Sequence, residues 1–135
     1  MTAIRDPQRP SLTIALQQQT GSLTVITVAG EIDSGNHAEL RRQLEALLPS
    51  TGGGRVSLDL SDVTFIGSAG VRALLECRDT AASRQMPLTI SLAHHSVRHV
   101  LNLCDLTHEF GLPATPEDKQ DRPRFWAPWW NPTAQ

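Results

Sequence analysis

The stretch from Ser57 to Leu75, SLDLSDVTFIGSAGVRALL, constrains the fold more than any other part of the chain. Val56, Leu58 and Leu60 alternate on one face of a strand over RVSLDL. Gly67 and Gly70 then bracket Ser68 and Ala69, and a helical pattern begins at once. That helix is expected from about Ala69 to Ser83, with Val71, Leu74 and Leu75 inward. A strand that feeds directly into a helix needs a crossover back to a parallel neighbour, and such crossovers are right-handed.

The flanking segments supply the neighbours. SLTIALQQQ sets Leu12, Ile14 and Leu16 against polar residues, as in an edge strand with one wet face. TGS is a turn, and LTVITVAG is a nearly unbroken β-branched run, expected as a strand covered on both sides. EIDSGNHAELRRQLEALLP reads as a helix capped by Asp33 or Ser34, with Leu40, Leu44, Leu47 and Leu48 at helical spacing until Pro49. After Pro87, LTISLA alternates Leu88, Ile90 and Leu92, and a third helix lines up Val97, Val100, Leu101 and Cys104. HEFGLP is read as a short final strand. The order is ββαβαβα with that last β, which gives an α/β fold: a small mixed sheet, opening in an antiparallel hairpin and continuing in parallel strands, with helices packed on it.

Three parts follow along the chain: a ragged lead-in over residues 1–10, a folded domain over 11–114, and a tail over 115–135. The tail holds Pro116, Pro123, Pro128 and Pro132 and all three tryptophans, Trp126, Trp129 and Trp130. Disordered tails are poor in aromatics. Two readings stay open: the rings fold back onto an apolar patch of their own domain, or they dock on a partner.

Composition narrows the class. A net charge of −2 gives no footprint for nucleic acid or an anionic membrane. The apolar runs fall far short of the roughly 20 residues that span a bilayer. MTAIRDPQRP has no apolar signal core, so a cytoplasmic protein is expected. Cys77 and Cys104 both lie in helical patterns without a CxxC partner, and are expected as buried, reduced thiols.

Ser68 admits three readings: a helix cap, a nucleophile, or a site where phosphate is added and removed. As the residue before the helix it can cap a free N–H. A phosphate there would meet unpaired N–H groups and the positive end of the helix dipole, worth about 0.3–1 kcal/mol. That favours a switch acting by surface charge over one acting by refolding. The nucleophile reading is weak, because Ile66 stands where the GxSxG elbow needs its first glycine. TGGGR has neither the spacing nor the lysine of a P-loop, so it is a turn. His95 and His99, four apart, with His94 or His108 as a third ligand, fit a metal site less well than they fit solvated helix-face histidines. No metal and no cofactor are expected.

LDLSDVTFIGSAGVRALL resembles the strand–loop–helix segment that carries the regulatory serine of STAS domains, and VAGEIDSGNHAELRRQL is similar to the G-E-[LI]-D and first helix of the same family. Both stand in the family's order, and the resemblance spans Leu12 to Leu112. Within the family, the chain resembles the single-domain bacterial anti-sigma-factor antagonists. The resemblance implies a non-enzymatic partner switch. The unphosphorylated antagonist binds an anti-sigma factor with serine kinase activity and so frees a sigma factor for transcription. Phosphorylation releases the antagonist, and a PP2C-type phosphatase resets it.

Carried onto this sequence, the phosphoacceptor falls on Ser68. The partner-facing surface falls on Asp33, Gly67, Ser68, Ala69, Gly70 and Arg72. A free antagonist that exchanges partners is expected to be a monomer. One departure is plain: Gly67 stands where the family usually has an aspartate, which removes a negative charge beside the acceptor hydroxyl. The alternative keeps the fold and makes the chain a constitutive scaffold or regulatory subunit of a sensor or transport assembly.

Overall fold

The computed structural model describes residues 12–49 and 54–112. The lead-in, most of the TGGGR turn and the tryptophan-bearing tail lie outside the described residues. Four strands, β1 (Leu12–Gln19), β2 (Leu23–Ile32), β3 (Arg55–Ile66) and β4 (Leu88–Ala93), alternate with three helices, α1 (His37–Leu47), α2 (Ser68–Ser83) and α3 (His95–Leu103). The sheet order is β1-β2-β3-β4, with β1 antiparallel to β2 and the other pairs parallel. This is the mixed sheet with packed helices that the residue pattern implies.

The opening hairpin closes as expected, with Thr20 N–H donating to Leu23 O (2.8 Å) and Leu23 N–H to Thr20 Oγ1 (3.0 Å). β3 is longer than its alternation suggests. Its register against β2 slips twice, between the pairs at Thr27/Ala29 and at Gly30/Glu31, so Val63 and Ile66 are both buried although three residues apart. Each slip inserts a residue and breaks the period of two, which hides the second half of the strand from pattern reading.

The core is one cluster. It takes every second residue of the sheet, among them Ile26, Val28, Leu58, Leu60, Leu88 and Ile90, together with Leu40 and Leu44 of α1, Val71, Leu74 and Cys77 of α2, and Val97 and Leu101 of α3. Arg41 pairs with Glu45 of its own helix and with Glu76 of α2, and the second pair ties the two helices together. The intervening sheet residues Val25, Thr27, Ser57 and Thr89 are only half-buried, and Leu92 is 55% exposed. Among the described residues β2 is therefore covered deeply on one side only, not on both. Its β-branched residues on the second face serve strand propensity rather than the core.

Three further expectations are corrected. Asn36, not Asp33 or Ser34, is the cap residue of α1. The described part of HEFGLP, residues 108–112, forms turns rather than a strand: Phe110 is fully buried, and its carbonyl accepts from Ile90 N–H (2.8 Å) as a single bond beside β4. Cys104 lies past the last turn of α3 as its C-cap and is exposed, while Asn102 takes a buried place at that end.

Candidate functional site

The candidate site forms where β2 and β3 end side by side and α1 and α2 begin. Ile32 and Ile66 are register partners, and Gly67 N–H donates to Ile32 O (2.9 Å). Asp33 and Ser68 each lie one residue beyond this tie, so backbone pairing alone brings them together. Gly67, Ala69 and Arg72 belong to the same helix start, and Arg72 lies one turn along α2 from Ser68.

Ser68 is the first residue of α2, and Gly67 occupies the cap position with φ −96° and ψ −179°. The cap reading of Ser68 is thereby corrected. Its side chain is exposed and makes no hydrogen bond to another described residue. The first helical bond runs from Val71 N–H to Gly67 O (3.0 Å), which leaves the N–H groups of Ser68, Ala69 and Gly70 outside the ladder. An exposed hydroxyl therefore stands at the positive end of a 16-residue helix.

The Asp33 loop is a closed hydrogen-bonded unit. Asp33 carboxylate accepts from Gly35 N–H (2.8 Å), Asn36 Oδ1 accepts from Asp33 N–H (2.9 Å), and Asn36 Nδ2 donates to Glu31 O (2.7 Å). Asp33 thus shapes the loop beside Ser68 with its carboxylate already engaged. Asn36 spends its amide on this loop, so it gives α1 no side-chain cap.

Gly70 faces inward. A Cβ there would lie 2.5 Å from Ile32 Cγ2 and 2.8 Å from Ile66 Cγ1, so its bareness lets α2 sit down on the two strand ends. Gly67 has no such constraint: a Cβ would meet the Phe65 ring at 3.6 Å and Ile32 O at 3.9 Å, both ordinary contacts, and the backbone is one any residue adopts. Sequence reasoning did not single out Phe65. It is 50% exposed and flanks Gly67 at the edge of the site. Its place on the surface follows from the register slip just before it, which the sequence does not display. Thr64, the nearest other hydroxyl, is exposed and reaches Gly30 O at 3.4 Å.

Of the histidines, His94 serves α3. His94 Nδ1 accepts from Ser96 N–H (3.1 Å) as the cap of the helix, and its ring lies 4.2 Å from that of His95. Among the described residues no group of three His, Cys, Asp or Glu side chains is placed to hold a metal ion. No described helix is long and apolar enough to cross a membrane.

Comparison with known proteins follows the same lines. A family model described as "Mlab, STAS domain" matches residues 15–113. An anti-sigma factor antagonist from Mycobacterium paratuberculosis superposes with a TM-score of 0.67 at 24% identity, over 87% of this chain and 96% of that one. The anti-sigma factor antagonist SpoIIAA in its unphosphorylated form gives 0.56 at 22% identity, over 82% and 95%. Murine Slc26a9, an anion transporter in its inward-facing state, gives 0.62 at 16% identity over 77% of this chain, which spans 20% of the transporter. At these identities the likenesses establish the fold.

Proposed function

The chain belongs to the STAS-domain family, and we propose that it works there as an anti-sigma-factor antagonist switched at Ser68. The unphosphorylated protein binds an anti-sigma factor that is also a serine kinase, through a surface centred on Ser68 and including Asp33, Gly67, Ala69 and Arg72. Gly70 contributes by seating the helix start. The kinase moves the γ-phosphoryl group of ATP to Ser68 Oγ, ADP leaves, the hydroxyl proton is lost, and the complex dissociates. A PP2C-type phosphatase hydrolyses the ester and restores binding. The protein is a substrate and a binding module in the cytoplasm, monomeric when free, with no catalysis of its own.

One observation carries the reading: Ser68 offers an exposed, unbonded hydroxyl at a helix start whose N–H groups are free to receive an anion. A phosphate at that point adds charge without entering the core, so it changes a surface and not a fold. The test is to incubate wild-type and Ser68→Ala protein with lysate of the native cell and ATP, then map phosphate by mass spectrometry. Phosphate on Ser68 alone, lost in the variant, supports the assignment. Phosphate on Thr64 or elsewhere, equal in both proteins, overturns it.

A second reading is favoured by the description of the matching family model and by the likeness to part of an anion transporter. It makes the chain a constitutive subunit of a sensor or transport assembly, with Ser68 unmodified. A complex that ignores nucleotide and phosphate would decide for it.

A further inference from the structure

The second face of the sheet lacks a cover among the described residues. Val25, Thr27 and Ala29 of β2, Ser57 of β3 and Thr89 of β4 lie on it, all half-buried, and Leu92 is 55% exposed on the same side. Apart from Leu92 and the half-buried Asp59, register partner of both Thr27 and Leu92, these are small or β-branched residues, and together they make a flat platform rather than a pocket. At the β4 side it deepens into a groove of about 400 Å³ lined by Leu23, Arg55, Ser57, Thr89, Ile90 and Gly111. The described chain ends at this groove. Phe110 O is bonded to Ile90 N–H, and a Cβ on Gly111 would lie 3.2 Å from Thr89 Cγ2. The last described residues, Gly111 and Leu112, therefore lie at the rim of the uncovered face.

We propose that Trp126, Trp129 and Trp130 of this same chain cover that face. Reach is ample: the stretch from Pro113 to Trp126 extends to about 45 Å at roughly 3.3–3.6 Å per residue. Four strands spaced about 4.8 Å apart are far narrower. The chemistry matches on both sides. Indole rings lie flat on small and β-branched side chains and bury about 150–250 Å² each. Arg55 is exposed at the groove and has no ion pair among the described residues, so its guanidinium can stack on an indole face or pair with Glu117 or Asp118. Pro123, Pro128 and Pro132 lack the N–H a strand ladder needs, so the segment lies across the sheet through its side chains rather than adding a strand. This inference stands apart from the Ser68 reading.

The chain has no tyrosine and no tryptophan outside this segment, so tryptophan fluorescence reports on it alone. The experiment compares emission and acrylamide quenching of the full chain, of Val25→Lys and of Thr89→Lys, with far-UV circular dichroism as the check on folding. The expected result is an emission maximum to the blue of that in concentrated guanidinium and independent of protein concentration. In at least one folded variant it moves to the red, with quenching rising toward the denatured value. Emission already at the denatured position overturns the proposal. So does a blue-shifted emission that neither folded variant alters, since the rings then pack elsewhere. A blue shift lost on dilution assigns the face to a second copy and equally overturns it. Should both lysine variants unfold, Thr27→Ser and Leu92→Ser give the same reading with milder changes.

Discussion

Ser68, Gly67 and Gly70 stand within three residues of each other and answer to different physics. Ser68 is exposed and unbonded, so Ser68→Ala and Ser68→Glu should each change stability by no more than about 0.5 kcal/mol in denaturant melts. Gly67 sits in an extended backbone with room for a side chain, so the fold does not require glycine there. Gly67→Asp should place a carboxylate in the cap position, where it accepts from the free first-turn N–H groups and raises stability by a few tenths of a kcal/mol. It should also slow phosphate uptake on Ser68, because that carboxylate competes for the same amides and repels the incoming charge. Faster uptake in Gly67→Asp, measured as phosphate per chain against time, would count against this electrostatic account. Gly70→Ala meets the opposite condition. The new methyl meets two branched isoleucines, Ile32 and Ile66, near the base of their stiff side chains. Overpacking should outweigh the helix-propensity gain and cost about 1–2 kcal/mol. Ser68 was legible because glycines mark the junction; Phe65 was not, because its exposure depends on a register slip.

Elements show where pattern reading holds and where it fails. α2 was legible to within one residue, since Val71 and Leu74 keep the helical period. β3 was legible only to Leu60, because its two register slips scramble the alternation beyond that point. The cap of α3 is also unreadable from composition, since His94 acts through its ring nitrogen and not through a typical capping side chain. His94→Ala should lose about 1 kcal/mol of stability, whereas His94→Asn, which keeps an acceptor, should lose less. An equal loss in both melts would mean that ring packing with His95 dominates. The two thiols part company for reasons of element ends. Cys77 lies mid-helix against the core, and burial, with a smaller push from Glu45, raises its pKa to about 12. Cys104 is exposed beyond the end of α3. At mildly alkaline pH a disulfide-exchange reagent should label Cys104 promptly and Cys77 only after unfolding. Because folding raises the Cys77 pKa, its stabilising share is intact below the ordinary value of 9.0 and is lost as pH climbs toward about 12. Prompt native labelling of both thiols would refute the burial argument.

At the scale of the molecule, the order ββαβαβα and the hairpin-then-parallel topology were legible, because β–α junctions leave few ways to connect the chain. That the described residues leave the second face of the sheet without a cover was not. β-branched residues such as Val25 and Thr27 look alike whether the second face is covered or bare. That face and the site at Ser68 lie on different parts of the molecule: one is the broad side of the sheet, the other the end where β2 and β3 stop and both flanking helices begin. The tie from Gly67 N–H to Ile32 O fixes the backbone beside both Asp33 and Ser68, so in the proposed complex a partner would meet the Ser68 hydroxyl in a fixed frame. In the proposed switch, phosphorylation of Ser68 would change surface charge on an unchanged scaffold, as release from and return to one partner would require. The most direct measurement of that claim uses wild-type, Ser68→Ala and Ser68→Glu proteins as baits in native-cell lysate, with ADP or ATP added. The account predicts that wild type and Ser68→Ala retain a histidine-kinase-like ATPase with ADP and that Ser68→Glu does not, while ATP releases the wild type alone. Capture of the same partners by all three baits, whatever the nucleotide, would contradict it.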